Sequence, residues 1–349
     1  MTHAWLVTGP PGSGRSNAAR AFAAALECDQ GGCGQCLACR TALEGSHPDV
    51  TLVRTELLSI GVDEVRRLVR QAVMSPVLGR FQVLVVEDAD RITERGADAL
   101  LKAIEEPAQR TVWVLCAPTA DDVIVTIRSR ARQVALVTPS DEAVAELLVR
   151  RDGVDPETAR FVARVAQGHI GRARGLARRP ADRERRREIL AIPNRLTDLG
   201  ACLQAAERLV ADVTATAKAR TDELDERERA ALGEALGAGT KGVRLRHLAS
   251  QMKELEEQQK LRSKRFQRDG IDNALTELTG YYRDVLVRQL GAGAPLVNAD
   301  MAEAVEAMAR STTPERTVRK LDAILECRGA LLANVGPQLA LEALFVSLA

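Results

Sequence analysis

Aromatic side chains are scarce: two Trp, two Tyr and five Phe make up 3% of a 349-residue chain. Stacking the bases of a single strand needs several exposed rings, so that mode of nucleic-acid recognition is argued against, and the cores must be aliphatic. An excess of charge is also missing. Forty-nine basic and 48 acidic residues leave a net charge of +1, so no global field draws the chain to phosphate, and nucleic-acid contact would need a local patch. No apolar run is long enough to span a bilayer, and no basic-then-apolar leader opens the chain, which predicts a soluble, cytoplasmic protein. What is present is length and apolar content. At 46% hydrophobic the chain can build well-packed cores, and 349 residues predict two or three domains.

The seven cysteines are unevenly spread. Cys28, Cys33, Cys36 and Cys39 fall within twelve residues as Cys-x₄-Cys-x₂-Cys-x₂-Cys, and in a cytosolic chain such clustering points to metal rather than disulfides. Thiolates at these spacings can close a tetrahedron around Zn²⁺, with Gly31, Gly32 and Gly34 supplying turn freedom. Four thiolates fill all four corners of that tetrahedron, so the site reads as saturated and structural. An iron–sulfur cluster is the alternative, disfavoured because nothing else in the chain suggests a redox partner. Cys116, Cys202 and Cys327 read as small buried hydrophobes.

The first ~135 residues alternate short apolar runs with helical patterns, which predicts an α/β domain on a parallel sheet. Strands are expected at 4–7, 50–53, 83–86, 112–115 and 133–136, and helices at 16–26, 62–73, 94–105 and 121–127. From Ser140 onward no strand signal recurs. Helices over 140–150 and 155–166, the second capped by Asp155 with Pro156 at its first position, form a small bundle, and Gly168-His169-Ile170-Gly171-Arg172 opens another helix. Arg178-Arg179-Pro180 reads as a linker. The rest is helical, with breaks near Gly237-Ala238-Gly239 and Gly291-Ala292-Gly293. The alternating charges of 251–269 read as a solvated helix face, with a helical arm or partner surface as the lesser alternative.

Between the first strand and first helix lies Gly9-Pro10-Pro11-Gly12-Ser13-Gly14-Arg15-Ser16, a phosphate-binding loop with arginine where lysine is expected. Glycines let backbone N–H groups converge on phosphates, the lysine bridges β- and γ-phosphates, and the following serine ligates Mg²⁺. A planar guanidinium does not fit where a compact ammonium threads between phosphate oxygens. A second element is altered too. The strand at 83–86 ends in Glu87-Asp88, whereas hydrolysis calls for an aspartate on Mg²⁺ followed by a glutamate that polarises water, so each carboxylate stands about one methylene out of position. The bland alternative is a polar strand end at the sheet's carboxyl edge. Further on, Thr126-Ile127-Arg128-Ser129-Arg130-Ala131 offers arginines between a helix and the last strand. They read either as a solvated surface pair or as an arginine finger offered to a phosphate on an adjacent subunit.

Taken together, the Gly-rich loop, the four-cysteine knuckle, Ser46-His47-Pro48-Asp49, Gly61-Val62-Asp63-Glu64-Val65-Arg66, Leu100-Leu101-Lys102-Ala103-Ile104-Glu105-Glu106-Pro107 and Ile127-Arg128-Ser129-Arg130 resemble the delta-prime subunits of the bacterial DNA polymerase III clamp loader. The resemblance covers residues 3 to ~175 strongly and the helical remainder more weakly, through Asn334-Val335-Gly336-Pro337-Gln338-Leu339. It implies an AAA+ α/β domain over 1–137 carrying the zinc module 28–39, a helical lid over 138–179 and an all-α collar over 180–349. It implies assembly with gamma/tau motor subunits and a delta subunit into an open ring of five, which loads the sliding clamp on primed DNA using ATP held by the motors. Such members are usually rigid and non-hydrolysing, and their Ser-Arg-Cys motif lends an arginine finger to a neighbour's ATP. That role falls here on Arg130 with Ser129 before it, although Ala131 replaces the cysteine. The four knuckle cysteines match the family's zinc ligands.

Three departures argue against ATP and Mg²⁺ turnover in this chain. Arg15 stands at the loop-lysine position. The lid arginine that senses the γ-phosphate would fall near Gly171, in a register that leaves Arg172 and Arg174, which flank it, both open. Relatives carry an upstream segment that walls the adenine pocket, whereas this sequence begins two residues before His3-Ala4-Trp5-Leu6, so either its start is short or the pocket is incomplete. The expectation is therefore a scaffold that acts in trans. Its rivals are an active P-loop ATPase, such as a motor clamp-loader subunit or branch-migration helicase, and a zinc-dependent DNA-binding module using the knuckle and the 251–269 arm.

Overall fold

The computed structural model describes residues 2–55, 59–235 and 245–349. They fall into two compact units, Met1–Ala177 and Arg178–Ala349, with the boundary at the expected Arg178-Arg179-Pro180 linker.

The first unit is built on five parallel strands: β1 (Ala4–Thr8), β2 (Val50–Val53), β3 (Gln82–Val86), β4 (Thr111–Ala117) and β5 (Arg132–Ala135), in the spatial order β2-β3-β4-β1-β5. The connecting helices are α1 (Arg15–Glu27), α2 (Leu37–Glu44), α3 (Val62–Ala72), α4 (Glu94–Glu105) and α5 (Val125–Arg128). Both faces of the sheet are covered, which is why β3 reads as an unbroken apolar run. Val83 and Val85 belong to the core beneath α1 with Ala19, Ala23 and Ala24, while Leu84 and Val86 join Val65, Leu68, Leu100 and Ile104 of α3 and α4. Each fully buried Val or Leu contributes about 1.5–3 kcal/mol. The alanines of α1 let that helix lie close to the strands.

Helix ends follow local chemistry. Thr93 caps α4 by accepting from the Gly96 N–H, and the helix stops before Pro107, as expected. The helix expected over 121–127 shrinks to the single turn of α5. The Asp122 carboxylate accepts from both the backbone N–H and Oγ1 of Thr119, which holds 119–122 as a turn and delays helix entry. β5 is the sheet's edge, and all four of its residues are exposed.

The same unit continues into α6 (Asp141–Asp152), α7 (Pro156–Ala166) and α8 (Ile170–Arg178), which share a small core around Val144, Leu148, Val162 and Leu176. Ser140 caps α6, and Asp155 caps α7 with Pro156 at its first position, the second of these as expected. The second unit is all helical: α9 (Pro180–Ala191), α10 (Leu199–Ala235), α11 (Leu245–Gln289), α12 (Ala302–Ser311), α13 (Pro314–Leu332) and α14 (Pro337–Leu348). Its core joins Ala206, Leu209, Ile271, Leu278, Tyr281, Tyr282, Ile324 and Phe345. Cys202 and Cys327 are buried there, their thiols directed at the Phe345 and Ala340 carbonyls. The break expected at 237–239 lies outside the described residues. The break near 291 is present, with Gly291 at φ 60° just after α11.

One expectation is corrected. The stretch 251–269 lies within α11, and it is not simply a solvated face. Arg262 is 4% exposed and paired with Asp225 and Glu228 of α10, and Gln259, also buried, bonds the Asp225 carbonyl. Alternating charge disguised an interhelical seam. None of the described helices is long and apolar enough to cross a membrane.

Candidate functional site

The Gly-rich loop leaves the carboxyl end of β1, one strand away from β3, and enters α1. Gly12 and Gly14 have φ of 88° and 86°, the left-handed conformation such a loop requires. The loop's interior is nevertheless filled by the protein itself. Arg15 turns back, and its Nη1 donates to the Gly9 carbonyl at 2.7 Å. A Cβ added at Gly12 would collide with the Cα and imidazole of His169, which arrives from the turn before α8. His169 Nδ1 accepts from the Arg172 N–H at 3.2 Å. Burial, with the nearby positive charges of Arg172 and Arg15, holds that imidazole below its ordinary pKa of 6.5 and therefore neutral. Ser13 Oγ and Arg15 Nε are both buried without hydrogen-bond partners, so the filling is tight but imperfectly satisfied.

The acidic end of β3 is occupied in the same way. Glu87 is 7% exposed at its side chain and paired with Arg20 of α1 at 2.6 Å, so an internal guanidinium sits where a divalent cation would be held. Glu87 is thus buried, not the exposed strand end of the bland expectation. Asp88 follows it, and burial raises the carboxyl of neighbouring Asp90 above its usual range, with the Asp88 charge adding to the effect. Gly171 carries no side chain, and of the two arginines that flank it Arg174 is paired with Asp152 of α6 at 2.6 Å. The residues around Gly9, Gly12, Gly14, Arg15 and Ser16 therefore do not fit a bound nucleoside triphosphate and its Mg²⁺.

The cysteine cluster lies where α1 gives way to α2. All four sulfurs lie within 4.8 Å of one another, and Cys28 Sγ is 3.8 Å from the sulfurs of both Cys33 and Cys36. A tetrahedron with metal–sulfur bonds of about 2.3 Å has edges of about 3.8 Å, so the donor set fits a four-thiolate metal site. Backbone N–H groups already serve the sulfurs: Cys33 and Gln30 donate to Cys28, Cys36 to Cys33, and Cys39 to Cys36. The bond from Cys33, with those from Gly32 and Gln30, pulls the Cys28 thiol down to about 6, ready to ligate as thiolate. Burial pushes Cys39 up to about 12, a value that a coordinating cation would reverse.

Arg130 and Ser129 stand apart from both features. They lie between α5 and β5, and β5 begins at Arg132 opposite Trp5, so they mark the amino edge of the parallel sheet. Their own phosphate loop is at the carboxyl edge, about five strand residues or 16 Å away. Arg130 is 40% exposed at its side chain and held by three contacts: Nη2 to Glu105 at 2.6 Å, and Nη1 to the Thr126 carbonyl at 2.9 Å and to Ser129 Oγ at 3.2 Å. Arg128 pairs instead with Asp121.

Another quoted motif proves structural. Asp49 of Ser46-His47-Pro48-Asp49 is fully buried and accepts from the N–H groups of Val77, Leu78 and Gly79 at 2.6–2.8 Å. Burial works to raise its carboxyl, but these donors outweigh burial and hold it below the usual range. His169, Arg20 and Glu105 are the contributors to the site that the sequence reading missed as such. Glu105 carried a signal through its place in the quoted Glu-Glu-Pro motif, whereas His169 was quoted only as part of a helix opening.

A Gly-rich loop after an inner strand of a five-stranded parallel sheet, an acidic end on the strand one removed, and a following bundle of three helices define a P-loop α/β domain of the AAA+ class. The family model described as DNA polymerase III, delta subunit, matches residues 1–140, and that described as DNA polymerase III, delta subunit, C terminal, matches residues 243–348. The two matches together cover more than half of the sequence, and the chain belongs to the delta-prime subunit family of DNA polymerase III. It is 37% identical over 163 residues to the delta-prime subunit of Pseudomonas aeruginosa, covering 45% of this chain and 50% of that one. Against the Bacillus subtilis delta-prime subunit it is 24% identical over 351 residues, 100% of this chain and 91% of the relative. It is also 30% identical over 205 residues to the gamma/tau subunit of Mycobacterium tuberculosis, 50% of this chain and 36% of the relative. The match thus spans half the length of the Pseudomonas relative and about a third of the mycobacterial one.

Proposed function

We propose that this chain serves DNA replication as a non-hydrolysing member of the DNA polymerase III clamp loader, which loads the sliding clamp on primed DNA. In this reading it assembles with gamma/tau and delta subunits in the cytoplasm and lends Arg130, positioned by Ser129, to the nucleotide of the adjoining motor subunit. The α/β domain spans 1–137, the lid 138–179 and the oligomerising collar 180–349. Zinc in the Cys28/Cys33/Cys36/Cys39 cluster staples α1 to α2 and takes no part in chemistry. The observation that carries the reading is the exposed guanidinium of Arg130 at the sheet edge opposite its own loop, where any phosphate it meets must belong to another molecule.

The test is ATP hydrolysis by the reconstituted complex. Arg130→Ala is expected to leave assembly intact and lower DNA-stimulated turnover by about 10³-fold, the scale of a lost trans arginine finger. Unchanged turnover refutes the finger. The similarity to a gamma/tau subunit favours one rival, an active P-loop ATPase. Turnover by the isolated chain at a motor subunit's rate would establish that rival instead.

A further inference from the structure

The helix α4 spans the α/β domain from one edge of its sheet to the other. It starts at Glu94, just after the acidic end of β3, and its twelve residues carry it about 18 Å to the amino edge. Its far end is fixed there. His3, just before β1, donates Nε2–H to the Ile104 carbonyl at 2.7 Å, while Leu100 and Ile104 are buried in the core. The last helical residue, Glu105, then meets Arg130 at 2.6 Å. The arginine is thus gripped from two elements: α4 through Glu105, and the α5 turn through the Thr126 carbonyl and Ser129 Oγ, the latter itself donating to Thr126 at 3.1 Å.

We infer that Glu105 is the positioning residue for Arg130, bracing its guanidinium in the orientation in which it meets a neighbour's phosphate. The inference rests on the proposed role of Arg130. An unbraced arginine on a surface turn samples many rotamers, and a side chain that acts on a developing charge loses effect steeply when misplaced by an ångström. The carboxylate bonds Nη2 while the α5 turn bonds Nη1, so orientation is set from both arms of the fork. The pair is about 40% exposed on both sides, and exposed pairs contribute little to stability, so Glu105 variants are expected to fold.

The experiment is steady-state ATPase kinetics of the reconstituted complex carrying Glu105→Ala, Glu105→Gln, Arg130→Ala and the Glu105→Ala/Arg130→Ala double variant. Size-exclusion chromatography and thermal unfolding check that each assembles and folds. Glu105→Ala is expected to lower kcat about tenfold, with KM for ATP changed less than about twofold. Glu105→Gln, which keeps an accepting oxygen, should fall between it and the wild type. In the Arg130→Ala background Glu105→Ala should change nothing further, because the effect passes through the arginine. A wild-type kcat for Glu105→Ala overturns the inference, as does a faster one. A loss that persists without Arg130 overturns it too, since Glu105 would then act on the fold. If Arg130→Ala itself is silent, the finger reading fails and takes the inference with it, whereas a silent Glu105→Ala beside a crippled Arg130→Ala removes the inference alone.

Discussion

The filled phosphate loop makes a quantitative prediction about nucleotide binding. Three internal interactions must yield before a triphosphate and its cation can enter: the Arg15–Gly9 hydrogen bond, the contact of His169 with Gly12, and the Arg20–Glu87 pair. Hydrogen bonds to charged groups contribute about 1.5–3 kcal/mol each. Losing the two that involve guanidinium costs about 3–6 kcal/mol, which at 1.4 kcal/mol per decade weakens binding by between about 10² and 10⁴ relative to an open loop. Moving His169 adds to this, because its Cα as well as its ring lies against Gly12. Titration of the isolated chain with a fluorescent ATP analogue and Mg²⁺ should therefore give no saturation below the millimolar range. The double variant Arg15→Lys/His169→Ala, which restores the compact cation and clears the ring, should tighten binding at least tenfold. Micromolar binding by the wild type would refute the reasoning, as would a double variant no tighter than the wild type.

Other consequences are local. Cys36→Ser should release one metal equivalent by elemental analysis and lower the melting temperature, with hydrogen-exchange protection lost in α2 before the sheet; metal content equal to wild type would exclude a four-cysteine site. In the second unit Arg186 is 3% exposed and bonds Glu277, Asp300 and Asn298, so Arg186→Ala strands the buried Glu277 carboxylate and the buried Asn298 amide and should cost about 3–5 kcal/mol in denaturant unfolding; a loss below ~1 kcal/mol would mean the network is dispensable. For His169 the folded pKa lies below 6.5, so the unfolded chain binds the extra proton, and this contribution to stability is lost as pH falls below about 6.5. Between pH 7 and 5.5 the wild type should lose more melting temperature than His169→Gln, and parallel losses would contradict a neutral, buried His169.

The α/β sheet was legible because its strands are short apolar runs covered on both faces, and α4 because Ala97, Leu100, Leu101 and Ile104 recur at helical spacing and Pro107 ends the run. The knuckle was legible too, since metal-ligand spacing is a local property. What escaped was every contact that depends on tertiary closure. Nothing near Gly12 in sequence announces His169, and Arg20 meets Glu87 from 67 residues away. Charge alternation over 251–269 read as solvated because the acids that bury Arg262, Asp225 and Glu228, lie on another helix. The shortened α5 has a local cause, a side chain competing with the helix for backbone donors, which apolar periodicity does not register.

The two edges of one parallel sheet carry opposite fates for arginine. At the carboxyl edge Arg15 and Arg20 are turned inward, onto the Gly9 carbonyl and Glu87. At the amino edge Arg130 is turned outward and oriented by neighbours on two helices. In an active P-loop protein, arrival and loss of the γ-phosphate shift the loop and the elements that sense it. Here a histidine and two arginines of the chain itself fill that position, so α4, which runs from near the acidic end of β3 to Glu105, starts beside internal contacts that a nucleotide would have to displace. Under the proposed function this is a useful property: an arginine lent to another subunit's nucleotide acts best from a frame that does not itself cycle. The altered loop and the preserved finger then express a single requirement, rigidity at the donor, and the nucleotide titration and the Glu105 kinetics probe its two ends separately.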